Sequence, residues 1–165
     1  MNILTSAYAL DLAGTPTVTL TMYRELIKRG HSVTVYSPLG GKLETEMNTV
    51  KYLQNLPDPD VILAQHIPCA IHLKNRFPNL PFVFYTHGFV QEIEQPPPFQ
   101  ANYYLAINEE TRDNFINKGV PADKISIVRD FIDTQRFKPT SPICNHLERV
   151  LFISNYKKWK NYKAV

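Results

Sequence analysis

The 165-residue sequence is poor in cysteine, in glycine and in long apolar segments, and these shortages exclude several classes of protein. Its two cysteines, Cys69 and Cys144, are too few for a disulfide framework and are expected to be reduced thiols. No apolar run approaches the ~18 residues that a membrane-spanning helix needs. The first residues also lack the basic start of a signal peptide. These absences predict a globular protein of the cytoplasm.

Glycine is used only where the predicted elements break. The six glycines are Gly14, Gly30, Gly40, Gly41, Gly88 and Gly119. Glycine allows the backbone to turn sharply or to approach another group closely. These positions therefore mark turns or places of close contact.

The net charge of +3 does not describe the part of the chain that is expected to form the main domain. Residues 149–165 contain five basic side chains and no acidic one, so residues 1–148 carry 13 basic and 15 acidic side chains, a net charge of −2. No basic stripe with interleaved aromatic residues is present, and nucleic acid is therefore not expected as a partner.

Short apolar strands alternate with amphipathic helices along the chain. The predicted strands are residues 2–8, 33–36, 50–53, 60–65, 82–86, 103–107 and 125–128. The segments between several of them repeat apolar residues with helical spacing. This order is typical of βαβ units and predicts an α/β fold, a Rossmann-like parallel sheet with helices on both faces.

Capping residues predict where the helices begin and end. Thr15 and Pro16 suit the N-cap and the first position of the first helix, and Gly30 suits the position just after its end. Asn108 is expected to cap a later helix that Gly119 closes. Ligands of such sheets bind beyond the carboxyl ends of the strands, so the loops found there are the predicted functional edge.

The loop after the first strand argues against a dinucleotide cofactor. A dinucleotide site needs three glycines here, and only Gly14 is present. The acidic ribose ligand expected near the end of the second strand is also missing. The start of the first helix could still bind an anionic or hydroxyl-rich group, although a plain tight turn explains the loop equally well.

His87 and Gly88 follow the predicted strand 82–86 and form the second candidate site. A histidine there can bind a sugar hydroxyl or transfer a proton, and Gly88 would let a ligand approach the backbone. The alternative is a histidine with a structural hydrogen bond. His66 ends a neighbouring strand, but the spacing of the two histidines matches no metal-ligand motif, so no metal is predicted.

Nearby acidic residues are further candidates for acid or base catalysis. They are Asp11, Glu92 and Glu94, among which the sequence does not choose.

The C-terminal part of the sequence reads as the start of a second domain. We expect a first domain at residues 1–140, a linker at 141–148 and the truncated start of another βα unit at 149–165. Lys157, Lys158 and Lys160 surround Trp159 in this last segment. They form either a solvated turn, a phosphate-binding turn or a contact with anionic lipid. The apolar strand 150–154 could also pair with a second copy of the chain.

The ordered set of motifs resembles the N-terminal, acceptor-side domain of a family-4-like glycosyltransferase with the GT-B fold. The similar segments are 26–35 (LIKRGHSVTV), 59–66 (PDVILAQH), 81–88 (PFVFYTHG) and 119–125 (GVPADKI) followed by 131–139 (FIDTQRFKP). The last pair is the most specific, and the resemblance covers essentially the whole chain.

The resemblance implies retaining transfer of a sugar from a nucleotide-sugar to a carbohydrate or lipid-linked acceptor, with no cofactor. It implies that Gly14 and Thr15 lie at the cleft against the donor, that His87 contacts the transferred sugar beside Gly88, and that Asn108 lines the cleft. Lys160 matches a lysine that binds the donor diphosphate.

The sequence departs from the family pattern at three places. Ala13 and Gly14 stand where a doubled glycine is often seen. Ser154 and Asn155 stand where a glycine and an arginine are usual, and Asp130 and Phe131 stand where an asparagine and a glycine are usual. A nucleotide-sugar epimerase of the same architecture and a non-catalytic binding module therefore remain alternatives.

Overall fold

The computed structural model of the protein describes residues 1–139 and His146. The chain divides into two compact units, Met1–Asp133 and Thr134–Val165. The first unit ends before the predicted boundary at residue 140. The predicted linker and the predicted start of a second domain lie outside the described residues, apart from His146.

A parallel sheet of seven strands forms the centre of the first unit. The strands are β1 (Asn2–Ser6), β2 (Ser32–Tyr36), β3 (Thr49–Val50), β4 (Val61–Ala64), β5 (Phe82–Thr86), β6 (Tyr103–Ala106) and β7 (Ile125–Ile127). Their order is β3-β2-β1-β4-β5-β6-β7, and every neighbouring pair is parallel. The predicted α/β fold class is confirmed.

Helices cover both faces of this sheet. The helices are α1 (Gly14–Lys28), α2 (Ile67–Arg76) and α3 (Glu109–Asn117). Val35 and Tyr36, which are adjacent in β2, belong to different apolar clusters, because successive strand side chains point to opposite faces. One cluster contains Phe115 of α3, and the other contains Leu20 of α1. The sheet is therefore buried on both sides.

The predicted start of α1 was wrong by two residues. The N-cap is Ala13, whose side chain makes no capping hydrogen bond, and the helix begins at Gly14. Thr15 lies inside the first turn, where its carbonyl accepts a hydrogen bond from the hydroxyl of Thr19. Pro16 is tolerated there because the first N–H groups of a helix have no partner within the helix.

The other predicted caps are confirmed. The side chain of Asn108 accepts a hydrogen bond of 2.8 Å from the backbone N–H of Thr111. Gly30 and Gly119 follow α1 and α3 with φ angles of 82° and 88°, the left-handed conformation that favours glycine after a helix.

The switch point of the sheet lies between β1 and β4. The chain runs outward from β1 through β2 and β3 on one side, and from β4 through β7 on the other. Ile3 of β1 pairs with Val61 of β4, and Thr5 pairs with Leu63. Ligands of open α/β sheets bind in the crevice beyond the carboxyl ends at such a point.

Backbone hydrogen bonds join the loops that follow β1 and β2. The N–H of Leu10 donates to the carbonyl of Gly40 at 2.7 Å, and the N–H of Leu39 donates to the carbonyl of Tyr8 at 3.3 Å. Gly41 lies in this junction with a φ of 146°, and a Cβ added there would lie 2.4 Å from the carbonyl carbon of Leu10. Glycine is therefore required for the two loops to meet.

Of the helices in the described part of the chain, none combines the length and the hydrophobicity that a bilayer crossing needs.

Candidate active site

The carboxyl edge of the sheet carries the described residues of the predicted site. Gly14 and Thr15 follow β1, His87 and Gly88 follow β5, and Asn108 follows β6. Because the strands are parallel, their carboxyl ends share one edge. The strand that ends before His87 is next to β4, the middle strand of the seven.

Both ring nitrogens of His87 are held by other side chains. Nδ1 lies 2.8 Å from Oδ1 of Asp130, and Nε2 lies 2.7 Å from Oε1 of Gln65. The ring also packs on Tyr85, with 4.4 Å between the ring centroids. Only 5% of the His87 side chain is exposed, so its orientation is fixed before any ligand arrives.

The surrounding groups determine how the Gln65 amide is oriented. The hydroxyl of Thr5 donates to the carbonyl of Leu63 at 2.9 Å, so its oxygen can accept from Nε2 of Gln65 at 3.4 Å. The amide oxygen of Gln65 then faces His87 and accepts a hydrogen bond from it. Since the Asp130 carboxylate also accepts, every donor finds an acceptor when His87 carries both ring protons and a positive charge.

Asp130 supplies the negative partner of this network. Burial alone would raise the pKa of Asp130, but hydrogen bonds from His87 and Tyr85, with the charge of His87, lower that pKa below its ordinary value. The Tyr85 hydroxyl donates to the same carboxylate at 2.9 Å. Burial, followed by this carboxylate, raises the pKa of Tyr85, which stays a neutral donor. The result is a preorganised hydrogen-bonded pair of the kind that stabilises charge developing in a reaction.

Gln65 connects this pair to the switch point. Its side chain is fully buried, and its backbone N–H donates to the hydroxyl of Ser6 at 3.0 Å. The hydroxyl of Thr19 in α1 lies 3.2 Å from the Gln65 amide oxygen and 2.9 Å from the carbonyl of Thr15. Hydrogen bonds thus connect the start of α1 with His87 through two intervening side chains.

The two predicted glycines differ in what surrounds them. A Cβ added at Gly14 would meet nothing within 4 Å, so the space beside this glycine is open. A Cβ added at Gly88 would lie 2.8 Å from a carboxylate oxygen of Glu94. The space beside Gly88 is therefore taken by a side chain of the protein.

Glu94 is the acidic candidate that the fold brings towards His87. Burial raises the pKa of Glu94 above its ordinary 4.5, and the nearby charge of His87 opposes this effect only in part. Glu92 and Asp11, the other two candidates, are exposed. A half-buried carboxyl with a raised pKa beside a histidine is suited to proton transfer.

Replacing Glu94 with glutamine is expected to stabilise the protein at neutral pH. In the unfolded chain Glu94 ionises once the pH exceeds its ordinary pKa of 4.5. Burial resists this ionisation in the folded state, so the native protein loses stability as the pH rises through this window. Thermal midpoints across the pH range should show Glu94→Gln above wild type at neutral pH and equal to it in acid. The exposed neighbour offers the matched control Glu92→Gln, and equal midpoints for the two variants at neutral pH would contradict the prediction.

The structure gives His66 a different environment from His87. Its Nδ1 accepts a hydrogen bond of 3.3 Å from the backbone N–H of Tyr8. Within residues 1–139 and His146, no group of three or more His, Cys, Asp or Glu side chains is arranged to hold a metal ion. Cys69 is a buried free thiol whose pKa burial raises to about 12, and Cys144 lies outside the described residues.

Of the two remaining predicted site residues, the structure describes only Asn108. The side-chain oxygen of Asn108 serves as the cap of α3, at the end of β6. Lys160, the predicted diphosphate ligand, lies outside the described residues.

Sequence reasoning did not single out Gln65, Tyr85 and Asp130 as members of the site. Gln65 had a usable signal, because a polar residue ends the apolar strand segment 60–65. Tyr85 was read only as part of a strand. Asp130 is 43 positions from His87 in the sequence, so only the folded chain shows that they meet.

Solved structures with a similar fold include three proteins that bind or transfer sugars. HepE from Anabaena, solved with UDP and glucose, aligns with a TM-score of 0.69 and 16% identity over 86% of this chain and 47% of its own. The lipopolysaccharide outer core galactosyltransferase WaaB aligns with a TM-score of 0.65 and 13% identity over 78% of this chain and 45% of its own. An alpha-glucosyltransferase solved with UDP and DNA aligns with a TM-score of 0.60 and 16% identity over 82% of this chain and 44% of its own.

No protein-family model and no curated protein sequence matches the chain. The structural matches share the fold of this chain, which spans less than half the length of each of the three proteins. The chain therefore has the α/β fold of one half of a GT-B glycosyltransferase.

Proposed function

We propose that the chain is the acceptor-side half of a retaining glycosyltransferase that moves a sugar from a nucleotide-sugar to an acceptor. The observation that carries this proposal is the Gln65–His87–Asp130 network at the carboxyl edge of the sheet. It holds the His87 imidazole against a carboxylate beside the switch point, where ligands of this fold bind. The fold shared with proteins solved in complex with UDP supports a nucleotide-sugar donor.

The network explains how His87 can contact a sugar without leaving a buried polar group unpaired. A sugar hydroxyl that approaches Nε2 takes the place of the Gln65 amide oxygen. That oxygen remains within 3.2 Å of the Thr19 hydroxyl, which can then satisfy it. Asp130 keeps the ring oriented, so the contact strengthens as negative charge develops on the departing group.

The other residues of the proposed site each have a role. Gly14 and Thr15 approach the donor, Asn108 lines the cleft, and Lys160 binds the donor diphosphate. Gly88 has an indirect role, because the side chain of Glu94 occupies the space beside it. The acceptor is a carbohydrate or a lipid-linked carbohydrate, in the cytoplasm or at the surface of a membrane.

Alanine at Gly14 is expected to weaken ligand binding without destabilising the fold. An added Cβ meets no protein atom within 4 Å, and alanine is favoured over glycine in a helix by about 1 kcal/mol. Stability should therefore be kept or slightly raised, while the Cβ enters the space proposed for the donor. Thermal unfolding, and titration of UDP-glucose into the protein extended beyond Val165, test both parts, with Gly30→Ala as a control outside the proposed site. A Gly14→Ala variant with unchanged affinity would remove Gly14 from the site.

Residues 1–165 alone are expected not to transfer sugar and to bind nucleotide-sugars weakly. Transfer requires donor and acceptor to be held together in a closed cleft, and this chain spans less than half of the similar enzymes. Calorimetry with a panel of nucleotide-sugars, together with a transfer assay, tests this expectation. Tight binding or turnover by these residues would show that the donor site has been misplaced.

The proposal itself is tested on the protein extended beyond Val165. Transfer from a nucleotide-sugar to an added acceptor supports it, and retention is read from the anomeric configuration of the product. Interconversion of the nucleotide-sugar without transfer would identify an epimerase instead. Binding without either reaction would identify a non-catalytic module.

A further inference from the structure

His66 has a backbone conformation that favours glycine. Its φ is 65° and its ψ is 132°, and it is the one non-glycine residue with a positive φ in the described part of the chain. A side chain with a Cβ is strained in this conformation, and such strain gathers at functional sites. A histidine in a conformation that glycine adopts more easily indicates that its ring has a role.

The hydrogen bond from Tyr8 fixes the tautomer of this ring. The backbone N–H of Tyr8 donates to Nδ1 at 3.3 Å, so Nδ1 carries no proton and the proton of the neutral ring is on Nε2. Burial, with a smaller contribution from the charge of His87, lowers the pKa of His66 to about 4. The ring is therefore an uncharged N–H donor in neutral solution.

The donor atom of His66 is available to a ligand. Within the described residues Nε2 has no hydrogen-bond partner, and it is not one of the fully buried polar atoms that lack one. His66 directly follows Gln65, whose amide oxygen contacts His87 on the neighbouring strand β5. The free N–H thus belongs to the same edge of the sheet as the imidazole of His87.

We propose that His66 binds a sugar hydroxyl through its Nε2–H, beside His87. The inference rests on the proposed function and adds a binding residue to that site. An uncharged donor suits a hydroxyl oxygen, whereas a phosphate would favour a protonated ring, which the Tyr8 N–H facing Nδ1 opposes. The two histidines then have different tasks: His66 orients a neutral sugar oxygen, and His87 faces the developing charge.

Replacing His66 with glycine separates this role from a structural one. Glycine relieves the backbone strain and removes the ring, so His66→Gly should keep or raise the thermal midpoint while weakening the binding of glucose or galactose by about tenfold, the loss expected for one hydrogen bond. His31→Gly, which removes a histidine next to Gly30 on the other edge of the sheet, should leave the affinity unchanged. Binding is followed by NMR of the full chain with each sugar at millimolar concentration, and with UDP as a probe that lacks the sugar.

Three results overturn the inference. A His66→Gly variant with a lower midpoint and unchanged sugar affinity shows that the ring only accepts the Tyr8 hydrogen bond. A ring proton found on Nδ1 by nitrogen NMR contradicts the assigned tautomer. The absence of sugar binding by wild type overturns this inference alone, because residues 1–165 are expected to bind donor ligands weakly and the proposed function is tested separately by the transfer assay on the extended protein.

Discussion

Replacing His87 with alanine is expected to lower the turnover of the proposed glycosyltransferase by roughly 100-fold or more, the loss typical of one preorganised charge-stabilising group. The ring carries the hydrogen bonds to Gln65 and Asp130, and both partners keep an alternative, Thr19 for one and Tyr85 for the other. Stability should therefore fall by only about 1–2 kcal/mol. Comparing kcat with the thermal midpoint of the variant tests the prediction.

His72 offers a matched control for this variant. Its Nδ1 lies 2.9 Å from the hydroxyl of Tyr36, so His72→Ala also removes a hydrogen-bonded, partly buried histidine. This variant should lose stability and keep its turnover. If both variants lose stability alike and neither loses turnover, His87 is a structural histidine.

Replacing Gly41 with alanine is expected to destabilise the protein by roughly 3 kcal/mol or more, the sum of backbone strain and overpacking. The φ of 146° is unfavourable for any side chain, and the new Cβ would lie 2.4 Å and 2.6 Å from backbone atoms of Leu10 and Asp11. Backbone atoms cannot move aside as a flexible side chain can. The junction between the loops after β1 and β2 should therefore open.

Gly30→Ala separates the two causes of this effect. Gly30 also has a positive φ, 82°, but a Cβ added there meets nothing within 4 Å. Its loss of stability should be about 1 kcal/mol, from backbone conformation alone. Denaturant unfolding of both variants measures the difference, and equal losses would show that the close approach to Leu10 is unimportant. Opening of the junction should also disturb sugar binding, because the loop from β1 leads directly to Gly14.

The candidate site was only partly predictable from the sequence. His87 and Gly14 stood out because they follow apolar strands, and a parallel sheet places such positions on one edge. The side chains around His87 did not stand out, since its hydrogen-bonding partners come from the residue after β4 and from the segment after β7, and the ring it packs on comes from β5 itself. Asn108 was assigned both as a helix cap and as a site residue, and the structure shows the cap.

The sequence by itself determined the class of the fold and the presence of its strands and helices. Strand β5 and the ends of α1 and α3 follow from local signals, namely runs of β-branched and aromatic residues and the glycines after helices. The start of α1 was misplaced because Thr15 and Pro16 are compatible with several positions in a first turn. Local propensity decides which element forms, and decides its ends less sharply.

Only the tertiary structure decided the strand order, the partners of His87 and the conformation of His66. Strand order places β4 between β1 and β5, which lets the Gln65 side chain bond with Thr5 on one side and His87 on the other. The pKa values of Glu94, Asp130 and His66 depend on burial and on charges contributed by distant segments. Such effects depend on distances in space, and residues far apart in the chain acquire those distances only when the sheet has formed.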